Sequence, residues 1–138
     1  MTGAQTASRA LSAVGKGWRY ALGAKPDPSK VAAGATGVES DCSGFAVWAA
    51  GRLQTGRIAP PSFAPIAAPR VGAIVWRAPA PGQKYGHVGI VIATFADGQF
   101  DTVDASSTPG AGRGGAIRVI RRARAHWQRE PGRWGFDW

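Results

Sequence analysis

The sequence predicts an α+β protein in which N-terminal helices pack on a small antiparallel β-sheet. In the N-terminal part of the chain apolar residues recur at helical spacing, and from residue 71 onward short β-rich runs alternate with turn residues. Helices followed by a run of strands are typical of this fold class. The length of 138 residues, with 44% hydrophobic and 18% charged residues, predicts one globular domain over residues 1–138.

The first helix is predicted over Thr6–Leu22, although Gly15 and Gly17 weaken its helical pattern. Its large apolar residues would share one face: Leu11, Val14, Trp18 and Leu22. The stretch Gly23–Val38 is rich in Pro and Gly and predicts a loop.

A second helix is predicted to begin at Ser40 or Asp41, because either side chain can cap the free N–H groups of a first turn. Gly56 would lie just past the end of this helix. One face of the helix would hold Cys42, Phe45, Ala46, Ala49 and Leu53.

Four strands are predicted after the second helix, over residues 71–76, 87–93, 99–106 and 117–120. The dipeptide Asp97-Gly98 marks a hairpin turn between the second and third of them. If these two residues form the whole loop, Ala96 faces Gln99, and the numbers of paired residues sum to 195. The Gly-rich stretch Ser107–Gly115 predicts a loop before the last strand.

Cys42 is the single cysteine of the chain, so the sequence excludes an intramolecular disulfide and a Cys-rich metal site. It would lie in the first turn of the second helix, where N–H groups favour a nucleophilic thiolate and could also stabilise an oxyanion. A free cysteine is more often a small buried core residue. The flanking Asp41, Ser43 and Gly44 are polar or small, which favours an exposed cleft.

A cysteine nucleophile needs a base, normally histidine, and the chain offers His87 and His126. His87 opens the second predicted strand, where its ring could face a helix N-terminus. The alternative for His87 is an imidazole that bonds a backbone carbonyl within the sheet. His126 lies in a basic, aromatic segment and is predicted to be solvated or packed on Trp127.

The base in turn needs a polar partner that holds the imidazole, and Asp101 and Asp104 are the candidates. Side chains alternate along strands, so the register above puts Asp104, and not Asp101, on the face of His87. It also puts Asp104 opposite Val91, ~13 Å along the strand from His87, so a bulge or a turn that closes nearer Phe95-Ala96 is needed to join the pair. The alternative role for Asp104 is that of a turn carboxylate.

Two sequence boxes together are similar to those of a known family: Asp-Cys-Ser-Gly-Phe at 41–45 and Gly-His-Val-Gly-Ile-Val at 86–91. They resemble the NlpC-type cysteine peptidases of bacterial cell walls and their papain-like siblings, the CHAP amidases and endopeptidases, over about 18–120. Residues 17–23 resemble the family's Tyr-x-x-Gly segment, and residues 103–106 resemble its third-residue motif. An Asp at 104 and an Ala at 73 depart from the commonest NlpC pattern, and the long gap between His87 and Asp104 leans toward the CHAP side.

The resemblance implies a papain-like fold and a peptidoglycan hydrolase in which Cys42 attacks an amide carbonyl, His87 transfers protons and Asp104 orients His87. The backbone N–H of Cys42 and the Tyr20 hydroxyl would hold the oxyanion. In the family the residues flanking the Cys bind the peptide stem, a role that maps onto Asp41 and Ser43. Asp41 could equally serve only as a helix cap.

An endopeptidase that cleaves within the peptide stem, of the phage-lysin or effector type, is the leading expectation. An N-acetylmuramoyl-L-alanine amidase, an acyltransferase and a non-catalytic envelope- or nucleic-acid-binding protein are the alternatives. No metal or cofactor is expected, because two histidines on separate elements and one cysteine give no ligand cluster.

The net charge of +9 and the pI near 11.1 indicate a polyanionic partner. Seven arginines lie between Arg113 and Arg133, interleaved with aromatic residues, but no nucleic-acid-binding motif accompanies them. The charge therefore favours an anionic cell envelope over a specific nucleic acid, and the plainest interpretation of the segment is a solvated face whose tryptophans pack on the core.

No apolar run approaches the ~20 residues that span a bilayer, and no signal peptide is predicted. We therefore expect synthesis in the cytoplasm and action at the bacterial cell wall after release or delivery by phage or secretion machinery. The sequence does not identify an immunity or delivery partner.

Overall fold

The computed structural model describes residues 1–56, 64–79, 81–82, 84–106, 117–122, 127 and 136–137, and it confirms the α+β class. Helices α1 (Gly3–Leu11) and α2 (Cys42–Ala49) lead the chain. The strands are β1 (Arg19–Tyr20), β2 (Glu39–Ser40), β3 (Ala64–Pro65), β4 (Ile74–Arg77), β5 (His87–Thr94), β6 (Phe100–Ala105), β7 (Ile117–Arg122) and β8 (Phe136–Asp137).

The main sheet has the strand order β3-β8-β4-β5-β6-β7, and its neighbouring strands pair antiparallel. Strands β1 and β2 form a separate parallel pair. In the described part of the chain no helix is long and apolar enough to cross a membrane. The predicted loop Ser107–Gly115 and the candidate base His126 lie outside the described residues.

Helix α1 begins at a capping box in which Thr2 and Gln5 exchange side-chain and backbone hydrogen bonds. The helix ends at Leu11, so the prediction of a helix to Leu22 is wrong. Gly15 and Gly17 have φ angles of 72° and 69°, which belong to left-handed backbone and cannot continue an α-helix. Trp18 is nevertheless buried, because the chain enters β1 against the core.

Helix α2 begins directly after Asp41, which confirms the predicted cap. It ends at Ala49, seven residues before Gly56, because the chain turns at Gly51 with a φ of 73°. Leu53 is therefore beyond the helix and exposed, and its predicted place on the buried helix face is wrong. Every residue of α2 from Gly44 to Ala49 is buried, as expected for a helix that is apolar on all sides.

The hairpin between β5 and β6 differs from the predicted two-residue loop. Thr94 pairs with Phe100, and the Phe95 N–H donates to the Gln99 carbonyl, so the loop is Ala96-Asp97-Gly98, with Gly98 at a φ of 81°. The register then shifts by one more residue between Val91 and Ala93. Together these two changes move β6 by two residues relative to the predicted register.

The strands divide their apolar side chains between the two faces of the sheet, as their alternation requires. One face packs against both helices through residues that include Ile74, Trp76, Val88, Ile90 and Val103. The other face holds a smaller cluster formed by Val75, Val91, Phe100 and Trp127. The central strands are thus covered on both sides, which explains the nearly continuous apolar run of β5.

Replacing Trp48 with Ala should lower the free energy of unfolding by about 3–5 kcal/mol. Trp48 is fully buried, contacts Trp18 and Phe45 through its ring, and donates its indole N–H to the Val31 carbonyl at 2.8 Å. Urea unfolding followed by circular dichroism measures the loss. The exposed Leu53 provides the control, because Leu53→Ala should change the stability by less than about 0.5 kcal/mol. Similar losses in both variants would contradict this description of the core.

Candidate active site

Cys42 is the first residue of α2 and opens onto a cleft of about 1010 Å³. Its side chain is half-buried, so the thiol is held by the protein and still reaches the cleft. The N–H groups of the first helical turn lie beside it, where they favour negative charge. This position agrees with the exposed cleft that the flanking residues predicted, rather than with a packed core cysteine.

The Asp41 carboxylate fastens the start of α2 to the loop that follows β1. Its Oδ1 accepts a hydrogen bond from the Gly44 N–H at 2.8 Å, and its Oδ2 accepts from the Gly23 N–H at 2.9 Å and from the Lys25 ammonium. Lys25 also donates to the Ser43 hydroxyl at 2.9 Å, and this hydroxyl is 3.4 Å from Asp41 Oδ1. The buried carboxylate is thus surrounded by partners from its own chain, and stem binding by Asp41 and Ser43 stays a prediction.

Gly44 is required by the same close packing of loop on helix. A Cβ at this position would lie 2.5 Å from the Ala24 carbonyl oxygen and 3.0 Å from Asp41 Oδ1. The glycine of the Ser-Gly pair after Cys42 therefore lets the loop approach the helix, and this contact brings Lys25 to the site. Lys25 is not predictable from the sequence, because nothing in a Pro-rich loop indicates which side chain turns toward the cysteine.

His87 is the first residue of β5, and its Nε2 is 2.7 Å from Oδ2 of Asp104. The two-residue change of register explains this contact, because it moves Asp104 from opposite Val91 to beside Gly89. Strand parity alone therefore identified Asp104 as the carboxylate on the face of His87. The three-residue loop and the bulge bring Asp104 within hydrogen-bonding distance of the imidazole. Asp104 is fully buried, and the Ser106 hydroxyl lies 3.4 Å from the same imidazole nitrogen.

The electrostatics of His87 favour its protonated form. Burial lowers the pKa of His87, but hydrogen bonds with Asp104 and with Cys42, together with their negative charges, outweigh burial and raise the pKa to about 9. Because Nε2 faces Asp104, Nδ1 is the nitrogen left for the thiol. Cys42 and His87 thus line the same cleft, and the buried carboxylate of Asp104 holds the far nitrogen of the imidazole.

Trp127 stacks on the imidazole of His87, with ring centroids 5.5 Å apart and an angle of 11° between the planes. It is fully buried, and Gly89 leaves the space for it: a Cβ there would lie 3.1 Å from Cη2 of the indole and 3.4 Å from Cβ of Asp104. Trp127 is predicted from the sequence to pack on the core, but its contact with His87 is not predicted. A glycine inside an otherwise apolar strand was the available signal, since it marks a close approach by another group.

Tyr20 lines the same cleft beside the cysteine. Strand β1 pairs with β2 so that Tyr20 lies next to Ser40, two residues before Cys42. Burial raises the pKa of Tyr20 to about 12, and the negative charges of Cys42, Asp41 and Tyr85 act in the same direction. The phenol is therefore a protonated hydrogen-bond donor at neutral pH.

The residues that the structure describes include no group of three or more His, Cys, Asp or Glu side chains able to hold a metal ion.

The family model of the CHAP domain matches residues 15–106. The chain belongs to the CHAP domain family. The match includes Cys42, His87 and Asp104 and ends before Trp127 and β7. Membership indicates a peptidoglycan hydrolase of the amidase or endopeptidase kind, and it confirms the resemblance that the two sequence boxes indicated. No curated protein and no solved structure gave a significant match to the chain.

Replacing Asp104 with Asn should lower the pKa of His87 from about 9 toward its ordinary value of 6.5, because the charge that favours the imidazolium is removed. The imidazole NMR signals of His87, followed from pH 5 to pH 10, measure this change. The control is Asp101→Asn, because Asp101 lies on the same strand but pairs with Arg121 at 2.9 Å. The folded-state pKa is raised, so the pair stabilises the fold fully below pH 6.5 and loses this effect as the pH rises through about 9. A pKa that is unchanged in Asp104→Asn would contradict the assigned contact.

Replacing Trp127 with Leu should slow the alkylation of Cys42 by iodoacetamide near neutral pH. Without the indole, water reaches the His87–Asp104 hydrogen bond and screens the charges that hold the imidazolium beside the thiol. Trp127→Phe keeps an aromatic ring on the imidazole and should retain most of the rate. If the Leu variant does not fold, Gly89→Ala tests the same contact, since its new Cβ would displace the indole. An alkylation profile unchanged in folded variants would show that the stack does not affect the site.

Proposed function

We propose that this CHAP domain is an endopeptidase that hydrolyses an amide bond in the peptide stem of peptidoglycan, with Cys42 as nucleophile, His87 as base and acid, and Asp104 as orienting residue. The observation that carries the proposal is that Cys42 and His87 line one cleft, with the buried Asp104 carboxylate 2.7 Å from the His87 imidazole. Nucleophile, base and orienting group are the three roles that acyl transfer needs.

In the first half-reaction the Cys42 thiolate adds to the carbonyl carbon of the scissile amide. His87 takes the proton of Cys42 as the thiolate forms, and its raised pKa favours this transfer. As the tetrahedral adduct collapses, the C–N bond breaks and His87 gives its proton to the leaving nitrogen. The amine fragment departs, and the acyl fragment stays on Cys42 as a thioester.

In the second half-reaction water attacks the thioester. Neutral His87 takes one proton from the water, the oxygen bonds to the carbonyl carbon and the C–S bond breaks. The acyl fragment leaves as a carboxylic acid, and the site returns to a Cys42 thiolate beside a His87 imidazolium. Asp104 keeps the imidazole in place through both steps, because it holds Nε2 and leaves Nδ1 to exchange the proton.

The negative charge that develops on the carbonyl oxygen needs hydrogen-bond donors in the cleft. We assign this role to the backbone N–H of Cys42 at the start of α2 and to the Tyr20 hydroxyl, whose pKa of about 12 keeps it protonated. The part of the stem on the acyl side would then pass Ser43, and Asp41 would hold the loop after β1 through Gly23 and Lys25. We further propose that the enzyme acts at the bacterial cell wall after release or delivery, with its net charge of +9 favouring encounter with the anionic envelope.

Digestion of purified peptidoglycan tests the proposal. The wild-type protein should release fragments with a new free amine and a new carboxylate inside the stem, which mass spectrometry identifies. Cys42→Ala should release none, because the nucleophile is lost, and the control Asp101→Asn should act as the wild type does. Release of whole stems from the glycan would assign the amidase reaction instead. Absence of products from the folded wild-type protein would contradict a hydrolase.

A further inference from the structure

The charged residues that line the cleft are distributed unevenly between its two sides. The described lining holds four cationic side chains, which are Lys25, Arg77, Lys84 and Arg118. Asp41 is the one acidic residue in that described lining, and it is paired with Lys25. The charges of Lys25 and Asp41 therefore offset each other on the side of the cleft formed by the loop after β1.

The other three cations lie around His87, and we call them the cationic side of the cleft: Arg77, Lys84 and Arg118. Arg77 is the direct cross-strand partner of His87 on β4, and Arg118 is the partner of Asp104 on β7. The two arginines thus flank the His87–Asp104 pair from both neighbouring strands. Lys84 precedes His87 in the loop before β5, and both Lys84 and Arg118 are exposed.

The role of His87 in the proposed reaction indicates which part of a substrate lies against the cationic side of the cleft. His87 gives its proton to the leaving nitrogen, so the fragment that departs as an amine must lie against His87. The acyl fragment, which stays on Cys42, extends instead over the side with the paired Lys25 and Asp41. A cleft lined by one sign of charge concentrates the field and attracts ligand groups of the opposite sign.

We propose that the cationic side binds free carboxylates on the amine fragment, so that the enzyme prefers stem peptides whose carboxylates beyond the scissile bond are not amidated. This inference rests on the proposed function. Arginine binds a carboxylate through two parallel N–H donors, and such charge-assisted bonds are stronger than neutral ones. A carboxamide in the same place brings no negative charge and places N–H groups against donors.

The test uses three synthetic stem peptides built around the bond that the digestion identifies. The first carries free carboxylates on both sides of the bond, the second has carboxamides on the amine side, and the third has them on the acyl side. For the wild-type protein, kcat/KM should fall about five- to tenfold with the second peptide and change little with the third. The preference should shrink at high salt, because exposed charges are screened.

The variants are Lys84→Gln and Arg118→Gln, alone and together, and the control is Lys16→Gln. Lys16 is exposed outside the cleft, so its replacement removes the same charge from the molecule and should keep the full preference. The double variant should lose most of the preference, because its kcat/KM for the first peptide should fall toward its kcat/KM for the second. Circular dichroism verifies that each variant is folded.

Equal kcat/KM for the first and second peptides in the wild-type protein would overturn the inference, and so would a preference that survives in the folded double variant. In both cases the proposed hydrolase would stand, since all peptides are still cleaved. Failure of the wild-type protein to cleave any of the three would instead count against the proposed function. A larger effect from the third peptide would place the carboxylate on the acyl side and would also overturn the inference.

Discussion

The hydrogen bonds of the buried Asp41 carboxylate are the interaction on which the active cleft depends. One oxygen caps α2, and the other holds the backbone of Gly23 and the ammonium of Lys25. The cap fixes the first turn of the helix, and with it the N–H groups that surround Cys42. The contacts with the loop hold the segment that carries Tyr20 against that turn. Removing this carboxylate would leave the Lys25 ammonium without its opposite charge and the start of the helix uncapped.

On the opposite side of the cleft, the contact between His87 and Asp104 depends on strand register rather than on a helix cap. His87 meets Asp104 because a three-residue loop and a bulge together move β6 by two residues. Burial of the pair then strengthens its electrostatics, since little water is present to screen it. Trp127 completes this burial from beyond the segment that matches the CHAP family. The candidate site therefore brings together a helix start, a strand start and a tryptophan from three separate parts of the chain.

The charged side chains around the cleft have different local roles, which the net charge of +9 does not show. On one side of the cleft Lys25 and Asp41 form an internal pair that holds the structure together. On the other side Arg77 and Arg118 flank the histidine and its carboxylate. The general excess of arginine supports the proposed encounter with an anionic envelope. The cations beside His87 are the ones positioned to distinguish one substrate group from another.

The sequence by itself determined the fold class, the cap and start of α2, the central strand β5 and the pair of boxes around Cys42 and His87. These features depend on local signals: a capping side chain, an apolar β run and glycines at fixed offsets. Strand parity also separated Asp104 from Asp101. The tertiary structure alone decided the end of each helix, the register of β6 and the contacts of Lys25 and Trp127. The reason is physical: these depend on how distant segments pack, and periodicity along the chain does not record which segments meet.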